Sequence, residues 1–204
     1  MWPWPSSVRS AQALASCARS LLVPASEVTE SATPSLPADD FKAIFRGHPG
    51  GVSLITADAG DGPVALTATS VASISVDPPL LVFSISALSS AAKVLTRATS
   101  LVVHSLDAHD IEVAKLGATS GIDRFAQKQT WSRLSTGEPV FDGVRAWVRC
   151  AVMERVQAGT STVFVARALE SHIERDSEPG QPSNGLVYHN RAWHRLDENS
   201  QLTR

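Results

Sequence analysis

Cysteine is scarce in this chain of 204 residues, and neither sign of charge is in clear excess. The two cysteines, Cys17 and Cys150, lie far apart in different sequence surroundings, which argues against a disulfide framework or a cysteine metal site. With 18 Lys and Arg against 20 Asp and Glu, the net charge of -2 provides no broad basic face for nucleic acid or an anionic membrane. We therefore expect no metal, no nucleic-acid partner and a reducing, cytoplasmic location.

Long apolar runs and several familiar motifs are also missing. Pro, Gly, Ser or a charge interrupts every apolar stretch well before the roughly 18 residues that a membrane span needs. The sequence contains no GxGxxG, GxxxxGKS/T, HExxH or CxxC motif, and no parallel βαβ alternation. It therefore predicts no membrane association and none of the sites that these motifs build.

Composition divides the chain into three parts. Residues 1–37 contain five of the twelve prolines, much Ser and Ala and no strand pattern, which predicts a disordered N-terminal tail. This acid-poor, Ser-rich start also faintly resembles a transit peptide, so a targeting role stays open. We expect one folded domain over residues 38–197 and a short C-terminal tail over residues 198–204.

The folded part is dominated by short β-prone runs separated by turn residues. A short helix before them, capped by Asp39 or Asp40, would carry Phe41, Ile44 and Phe45 on one face. Two more short helices are expected over residues 89–95 and 110–116. This pattern predicts a mainly β fold, a closed or nearly closed antiparallel barrel. The strands are expected at residues 52–57, 64–76, 80–86, 101–106, 146–156, 162–173 and 186–196.

Hydroxyl side chains are unusually dense between residues 62 and 90. In one extended strand, Thr67, Thr69, Ser73 and Ser75 would share a face, and such a wall suits the polar rim of a flat heteroaromatic ligand. Ser89 and Ser90, at the start of a predicted helix, would supply a phosphate site. The residues alone leave open that these side chains are ordinary strand and cap residues.

Several short segments, in this order, resemble the short-chain flavin reductase family. They cover most of the chain outside the tail, and the block at residues 67–79 is the most specific of them. The segments are PGGV at 49–52, TATSVASISVDPP at 67–79, DRF at 123–125, GEP at 137–139, Cys150 and YHNRAWHRL at 188–196.

The resemblance implies an FMN-binding split β-barrel with Greek-key strands, usually a homodimer with the flavin near the subunit interface. It also implies reduction of FMN or FAD by NADH or NADPH, in the service of a separate monooxygenase, with no catalytic side chain required. The cofactor-binding residues that it implies are Pro63, Val64, Ala65, Leu66, Thr67, Thr69, Ser70, Ser84, Ser86, Ser89, Ser90, Ala91, Lys115 and Leu116.

The chain departs from the family at the turn between the two late strands. Where related reductases carry Gly-Asp-His, this sequence has Gly159, Thr160 and Ser161, which we expect on the nicotinamide side together with His189. The departure keeps open an alternative, a flavin-binding barrel with a storage, carrier or oxidase-type role and little reductase activity. His104, alone on a strand, is expected in the core or at an interface.

Overall fold

The computed structural model describes residues 34–176 and 184–202. The chain divides into two units, Met1–Ala38 and Asp39–Arg204, and the strands given below belong to the second. The predicted disorder of residues 1–37 falls almost wholly outside the described residues and remains a prediction. Cys17 also lies outside them, so the absence of a disulfide between Cys17 and Cys150 remains a prediction as well.

Strands make up most of the regular structure. The helices are α1 (Ala38–Arg46), α2 (Ala92–Leu95) and α3 (Ile111–Ala118), with single 3-10 turns at Ala108–Asp110, Lys128–Thr130 and Glu198–Ser200. The strands are β1 (Gly50–Gly51), β2 (Ser53–Asp58), β3 (Pro63–Ala68), β4 (Ala72–Val76), β5 (Pro79–Ser86), β6 (Ser100–Ser105), β7 (Trp131–Arg133), β8 (Pro139–Phe141), β9 (Ala146–Ala158), β10 (Ser161–Ile173), β11 (Leu186–His189) and β12 (Ala192–Arg195). The prediction of a mainly β fold is confirmed.

A seven-stranded antiparallel sheet forms the body of the domain, in the order β3-β2-β6-β9-β10-β5-β4. Its centre is the long hairpin of β9 and β10. Two smaller sheets have the strand orders β1-β11-β12 and β7-β8. Within the part of the chain that the structure describes, no helix is long and apolar enough to cross a membrane.

The single strand predicted over residues 64–76 is wrong, because the chain crosses from one edge of the sheet to the other there. β3 pairs with β2 and β4 pairs with β5, so the backbone must leave the strand conformation between them. Ser70 lies in this crossing. Its hydroxyl donates to the Ser84 carbonyl oxygen (3.2 Å) and accepts from the Ser84 N–H (3.1 Å), which ties the crossing segment to β5.

Two apolar clusters hold the sheet and its covering elements together. One contains Phe83 and Phe164, whose rings stack with centroids 4.9 Å apart, and Cys150, for which burial raises the pKa to about 12. The other places Phe125 and Phe141 beside strand residues and α3. These aromatic side chains lie in the core, and the Cys150 thiol is too deeply buried and too weakly acidic to act as a nucleophile.

Helix α1 carries its apolar side chains on the surface of this chain. Phe41, Ile44 and Phe45 are each more than half exposed. The predicted cap is wrong in detail, because the helix begins at Ala38 and places Asp39 and Asp40 inside the first turn, where their charges favour the helix dipole.

His104 is completely buried and both of its ring nitrogens are used by the backbone. Nδ1 lies 3.0 Å from the Leu54 carbonyl oxygen, and the Phe141 N–H donates to Nε2 over 3.0 Å. Since Nε2 accepts, the proton belongs on Nδ1, and the ring is neutral. Burial lowers the pKa of His104 to about 4, against a small opposing effect of the Leu54 hydrogen bond. The residue is a structural core histidine.

We expect His104 to make the fold acid-sensitive. The unfolded chain binds its proton near pH 6.5 and the folded chain near pH 4, so stability is lost as pH falls through this window. At pH 5 this amounts to about 2 kcal/mol relative to pH 8. Urea unfolding of His104→Gln should therefore show a smaller loss of stability between pH 8 and pH 5 than the wild type. The exposed-histidine variant His48→Gln should behave as the wild type, and equal losses in all three proteins would contradict the assignment.

Candidate functional site

A cavity of about 560 Å³ opens at the crossing from β3 to β4, where that segment meets β5. This volume is within the range of small-molecule sites. The wall comes from β3 and the crossing segment, the end of β5 and the turn after it, the end of α3 and the loop that follows. It is lined by Leu66, Thr67, Ala68, Thr69, Ser70, Ser84, Ile85, Ser86, Leu88, Ser89, Ser90, Gly117, Ala118, Ser120, Gly121 and Arg124. We call it the hydroxyl cavity.

The structure brings together one part of the predicted site and leaves another part outside. Around the hydroxyl cavity lie Leu66, Thr67, Thr69, Ser70, Ser84, Ser86, Ser89 and Ser90. The remaining cofactor candidates are not among its lining residues: Pro63, Val64, Ala65, Ala91, Lys115 and Leu116.

The residues outside the cavity have structural roles. Ala65 and Ala91 are buried in the two apolar clusters. Lys115 extends to Glu112 over 2.8 Å on the exposed side of α3, and Leu116 packs against the second cluster. Helix α3 therefore meets the cavity one residue later than expected, through Gly117.

Gly117 brings α3 into direct contact with β3. A methyl group on this glycine would overlap Leu54 Cδ1 and Thr67 Oγ1, so no other residue fits without displacing the strand. At the same contact, the Thr67 hydroxyl donates to the Ala114 carbonyl oxygen over 2.7 Å. The proton of the Thr67 hydroxyl is thus used to fix helix against strand.

The hydroxyls of the cavity fall into two groups. Those of Thr67 and Ser70 donate to backbone carbonyls and hold the cavity wall together. Those of Ser86 and Ser89 accept from Leu88 N–H (3.2 Å) and Ala91 N–H (3.3 Å) and shape the turn after β5. Among the described residues, four hydroxyls that line the cavity make no hydrogen bond with the protein and remain available to a ligand: Thr69, Ser84, Ser90 and Ser120.

The predicted helix cap by Ser89 and Ser90 is wrong. The residue before α2 is Ala91, no side chain caps the helix, and α2 has only four residues. Such a short helix supplies little dipole, so a phosphate here would need another positive charge.

Arg124 supplies that charge and was not singled out from the sequence. It is the one cationic side chain among the described residues that line the hydroxyl cavity, and no carboxylate lines it. Its Nη2 donates to the Thr119 carbonyl oxygen (2.6 Å), while its Nε is buried without a hydrogen-bond partner. Burial lowers the pKa of Arg124, but a guanidinium stays charged at any physiological pH.

Local hydrogen bonds fix the backbone on both sides of Arg124. The Asp123 carboxylate accepts from the Phe125 N–H (2.9 Å), and the Phe125 carbonyl oxygen accepts from Trp131 Nε1 (3.0 Å). The Asp123 carboxylate therefore serves the turn, and no ion pair between it and Arg124 is found in the described part of the chain. The DRF segment at residues 123–125 contributes to the family resemblance. The sequence of a loop does not show, however, whether an arginine in it has an ionic partner.

The expected nicotinamide-side residues lie in two places. Gly159, Thr160 and Ser161 form the β9–β10 turn, where the Thr160 carbonyl oxygen accepts from Ala87 N–H over 2.9 Å, beside the segment that lines the hydroxyl cavity. His189 is on β11, its ring 5.6 Å from that of His194, and it lines none of the cavities described here.

A larger cavity, of about 810 Å³, lies elsewhere, but its charged groups serve the fold. Arg175 pairs with Asp107 (3.1 Å) and Asp110 (2.6 Å), and Trp147 stacks on His172. Its lining also ends at Asp176 and Asn184, on either side of residues that are not described. We therefore place the candidate site at the hydroxyl cavity, where a buried polar group lacks a partner.

The family model described as "Flavin reductase like domain" matches residues 45–197, a range that includes every residue of the hydroxyl cavity. The chain belongs to the flavin reductase family. This confirms the family resemblance of the sequence, and the similarity of the fold to solved flavin reductases is consistent with the predicted split barrel.

Two relatives and one solved structure illustrate what this reductase-family chain resembles. It is 38% identical over 173 residues to "NADH:FMN oxidoreductase" of Rhodococcus qingshengii, covering 85% of this chain and 89% of the relative. It is 34% identical to "Flavin-dependent trigonelline monooxygenase, reductase component" of Acinetobacter baylyi, covering 63% of this chain and 41% of that protein. The crystal structure of BorF, the flavin reductase component of a bacterial two-component tryptophan halogenase, has 30% identity and a TM-score of 0.68, covering 79% of this chain and 99% of BorF.

Flavin fits the residues that are present in this reductase-family site. The orphaned Arg124 Nε and the free hydroxyls can serve a phosphate and a polar ring edge. Gly117 packs α3 directly against β3 and so fixes the wall that carries Thr67. A dianionic, hydroxyl-rich cofactor is therefore a better match than an apolar ligand.

Proposed function

We propose that this protein is an NAD(P)H-dependent flavin reductase that supplies reduced FMN or FAD to a separate monooxygenase component. The observation that carries the proposal is the hydroxyl cavity, with one unpaired arginine and no carboxylate, in a chain of the flavin reductase family. The relative from Rhodococcus qingshengii carries the name of an NADH:FMN oxidoreductase, which supports the same activity here.

Arg124, Ser89 and Ser90 form the anion-binding part of the proposed site. The guanidinium balances the phosphate charge, and its buried Nε gains the hydrogen-bond partner that the protein does not provide. The free Ser90 hydroxyl adds a donor beside it. The unfavourable burial of an unpaired donor is relieved only on binding, which favours phosphorylated over unphosphorylated flavin.

Thr69 and Ser84 form the part of the wall that would meet the flavin ring and ribityl chain. Their hydroxyls make no hydrogen bond in the described structure, so they can donate to the polar edge of the ring. Gly117 and the Thr67 hydrogen bond to Ala114 keep this wall rigid. A rigid wall holds the hydrogen-bond donors in position before the ligand binds, so little entropy is lost in ordering them during the reaction.

A flavin held by these residues would supply the redox chemistry, namely acceptance of a hydride from NAD(P)H and transfer of electrons to the next acceptor. The protein needs no acid–base side chain for this, and its contribution is to position and enclose the reactants. The turn of Gly159, Thr160 and Ser161 lies next to Ala87 at the cavity, and we assign it to the nicotinamide side. Ser161 or Thr160 can then hydrogen-bond the nicotinamide carboxamide.

A separate acceptor of the reduced flavin follows from the reductase components among the relatives. The Acinetobacter baylyi relative and BorF are both described as reductase components of larger enzyme systems. We assign this protein the same role, in the cytoplasm, a reducing location with which the free Cys150 thiol is compatible. Neither the cavity nor the relatives support a storage or carrier role without reduction.

Anaerobic mixing of the purified chain with FMN and NADH tests the function. We expect the flavin absorbance band to bleach at a rate proportional to protein concentration, and to return on admission of air. A mixture without protein is the control. A rate no faster than that control, with either nicotinamide and either flavin, would contradict the proposal.

Replacement of Arg124 tests the phosphate assignment. Arg124→Gln should weaken FMN binding about 10- to 100-fold, the range expected for a charge-assisted hydrogen bond. Riboflavin has the same ring without the phosphate, so its affinity should change less than twofold. Fluorescence titration measures both, and equal losses for the two flavins would show that Arg124 acts through the fold.

We also assign the protein a homodimeric state. The exposed apolar side chains of Phe41 and Ile44 on α1 provide a surface that a second copy could cover. Light scattering of the full chain should give twice the mass of one chain. A single-chain mass at high concentration with flavin bound would contradict the dimer.

A further inference from the structure

A second, smaller cavity of about 320 Å³ adjoins the hydroxyl cavity. Thr69 lines both, so the two cavities share a wall at the crossing between β3 and β4. We call the smaller one the basic cavity. It is lined by Lys42, Phe45, Arg46, His48, Thr69, Tyr188, Asn190 and Arg191.

The charge of the basic cavity is of one sign. Lys42, Arg46 and Arg191 contribute three cations, and no carboxylate is among the lining residues. Lys42 has a surface ion pair with Asp39, at 3.2 Å. Over residues 34–176 and 184–202, the guanidinium groups of Arg46 and Arg191 make no ion pair and no hydrogen bond with the protein. Two unpaired arginines that line one cavity favour the binding of an anion there.

Backbone contacts hold the two arginines in place. The Arg46 carbonyl oxygen, at the end of α1, accepts from the Asn190 N–H over 3.0 Å, which fastens the helix to the β11–β12 turn. Arg191 follows in that turn with φ of 63°, a left-handed conformation that residues other than glycine seldom adopt. The cationic side chains therefore come from two elements that are hydrogen-bonded to each other.

The shared wall is also built to close tolerances. Gly50 pairs with Tyr188 between β1 and β11, and a Cβ on Gly50 would lie 2.8 Å from Thr69 Cβ and 3.1 Å from the Thr69 carbonyl oxygen. Only glycine lets β1 press against Thr69 in this way. Thr69 is thus fixed at the place where the basic cavity and the hydroxyl cavity adjoin.

We infer that the basic cavity binds the adenosine phosphate part of a dinucleotide whose other half lies in or against the hydroxyl cavity. This inference rests on the proposed function. Arg46 and Arg191 match the phosphate charge, and the rings of Phe45 and Tyr188 offer flat surfaces for adenine. FAD and NAD(P)H both contain this group, so the chemistry is shared and the experiment separates the two sources.

The test uses the full chain with both arginines replaced, as Arg46→Gln together with Arg191→Gln. The matched control is Arg167→Gln, an exposed arginine on β10 that lines none of the three cavities. Calorimetric titration gives Kd for FMN, FAD and ADP, and steady-state kinetics with saturating FMN give KM for NADH and for NADPH.

If FAD is the occupant, the double variant should bind FAD about tenfold more weakly, with FMN Kd within twofold of wild type. If the nicotinamide cosubstrate is the occupant, its KM should rise about tenfold while both flavin Kd values stay within twofold. Either loss should shrink at high salt, because these cations are exposed. The unchanged FMN Kd shows that the variant is folded.

Failure of this inference is distinguishable from failure of the proposed function. If FAD, ADP, NADH and NADPH are all bound as by wild type, the basic cavity is not an adenosine phosphate site, whatever the flavin reductase rate. If the wild-type chain reduces no flavin but binds ADP, and the double variant loses that binding, the basic cavity is supported and the proposed function falls. A loss of equal size in Arg167→Gln would overturn the inference, because the effect would then be one of net charge.

Discussion

The hydrogen bonds of Ser70 to Ser84 are the interaction on which the candidate site depends. They join the segment that leaves β3 to strand β5, near the other edge of the same sheet. Without this bridge the crossing segment would lose the two hydrogen bonds that tie it to β5 beside the cavity. The Ser70 hydroxyl thus fixes one wall of the candidate site. Because it already donates to the Ser84 carbonyl oxygen, its proton is not available to a ligand.

The described buried polar groups serve the fold, with one exception. His104 uses both ring nitrogens, and Arg175 satisfies Asp107 and Asp110. Native structures pair nearly all such groups, because an unpaired buried donor costs free energy. The exception in the described part of the chain is Arg124 Nε, and it lies at the hydroxyl cavity. An unpaired donor at a cavity indicates a ligand more strongly than the size of the cavity does.

Sequence reasoning recovered the mainly β fold, because short strands leave local signals. Of the predicted hydroxyl face, Thr67 and Thr69 line the hydroxyl cavity and Ser73 and Ser75 do not, and the other predicted hydroxyls of the wall came from the family resemblance. Sequence reasoning predicted β3 and β4 as one strand, because the alternation of side chains within residues 64–76 continues across the crossing. That alternation does not indicate which neighbouring strand each half pairs with. It placed a cap at Ser89 from residue type, whereas the short α2 begins after Ala91. Arg124 was missed because what distinguishes it, the absence of a partner, is a property of the folded chain.

Two glycines allow close contacts that no larger residue could make. Gly117 lets α3 approach β3 below Thr67, and Gly50 lets β1 approach the backbone at Thr69. Both contacts act on the same short stretch of chain, from opposite elements, and leave it little freedom to move. Thr69 is in close contact with Gly50 of β1 and lines both cavities. Its hydroxyl has no hydrogen-bond partner among the described residues. The position of this one residue therefore couples the geometry of the hydroxyl cavity to that of the basic cavity, so a ligand that spans both meets a surface fixed before it binds.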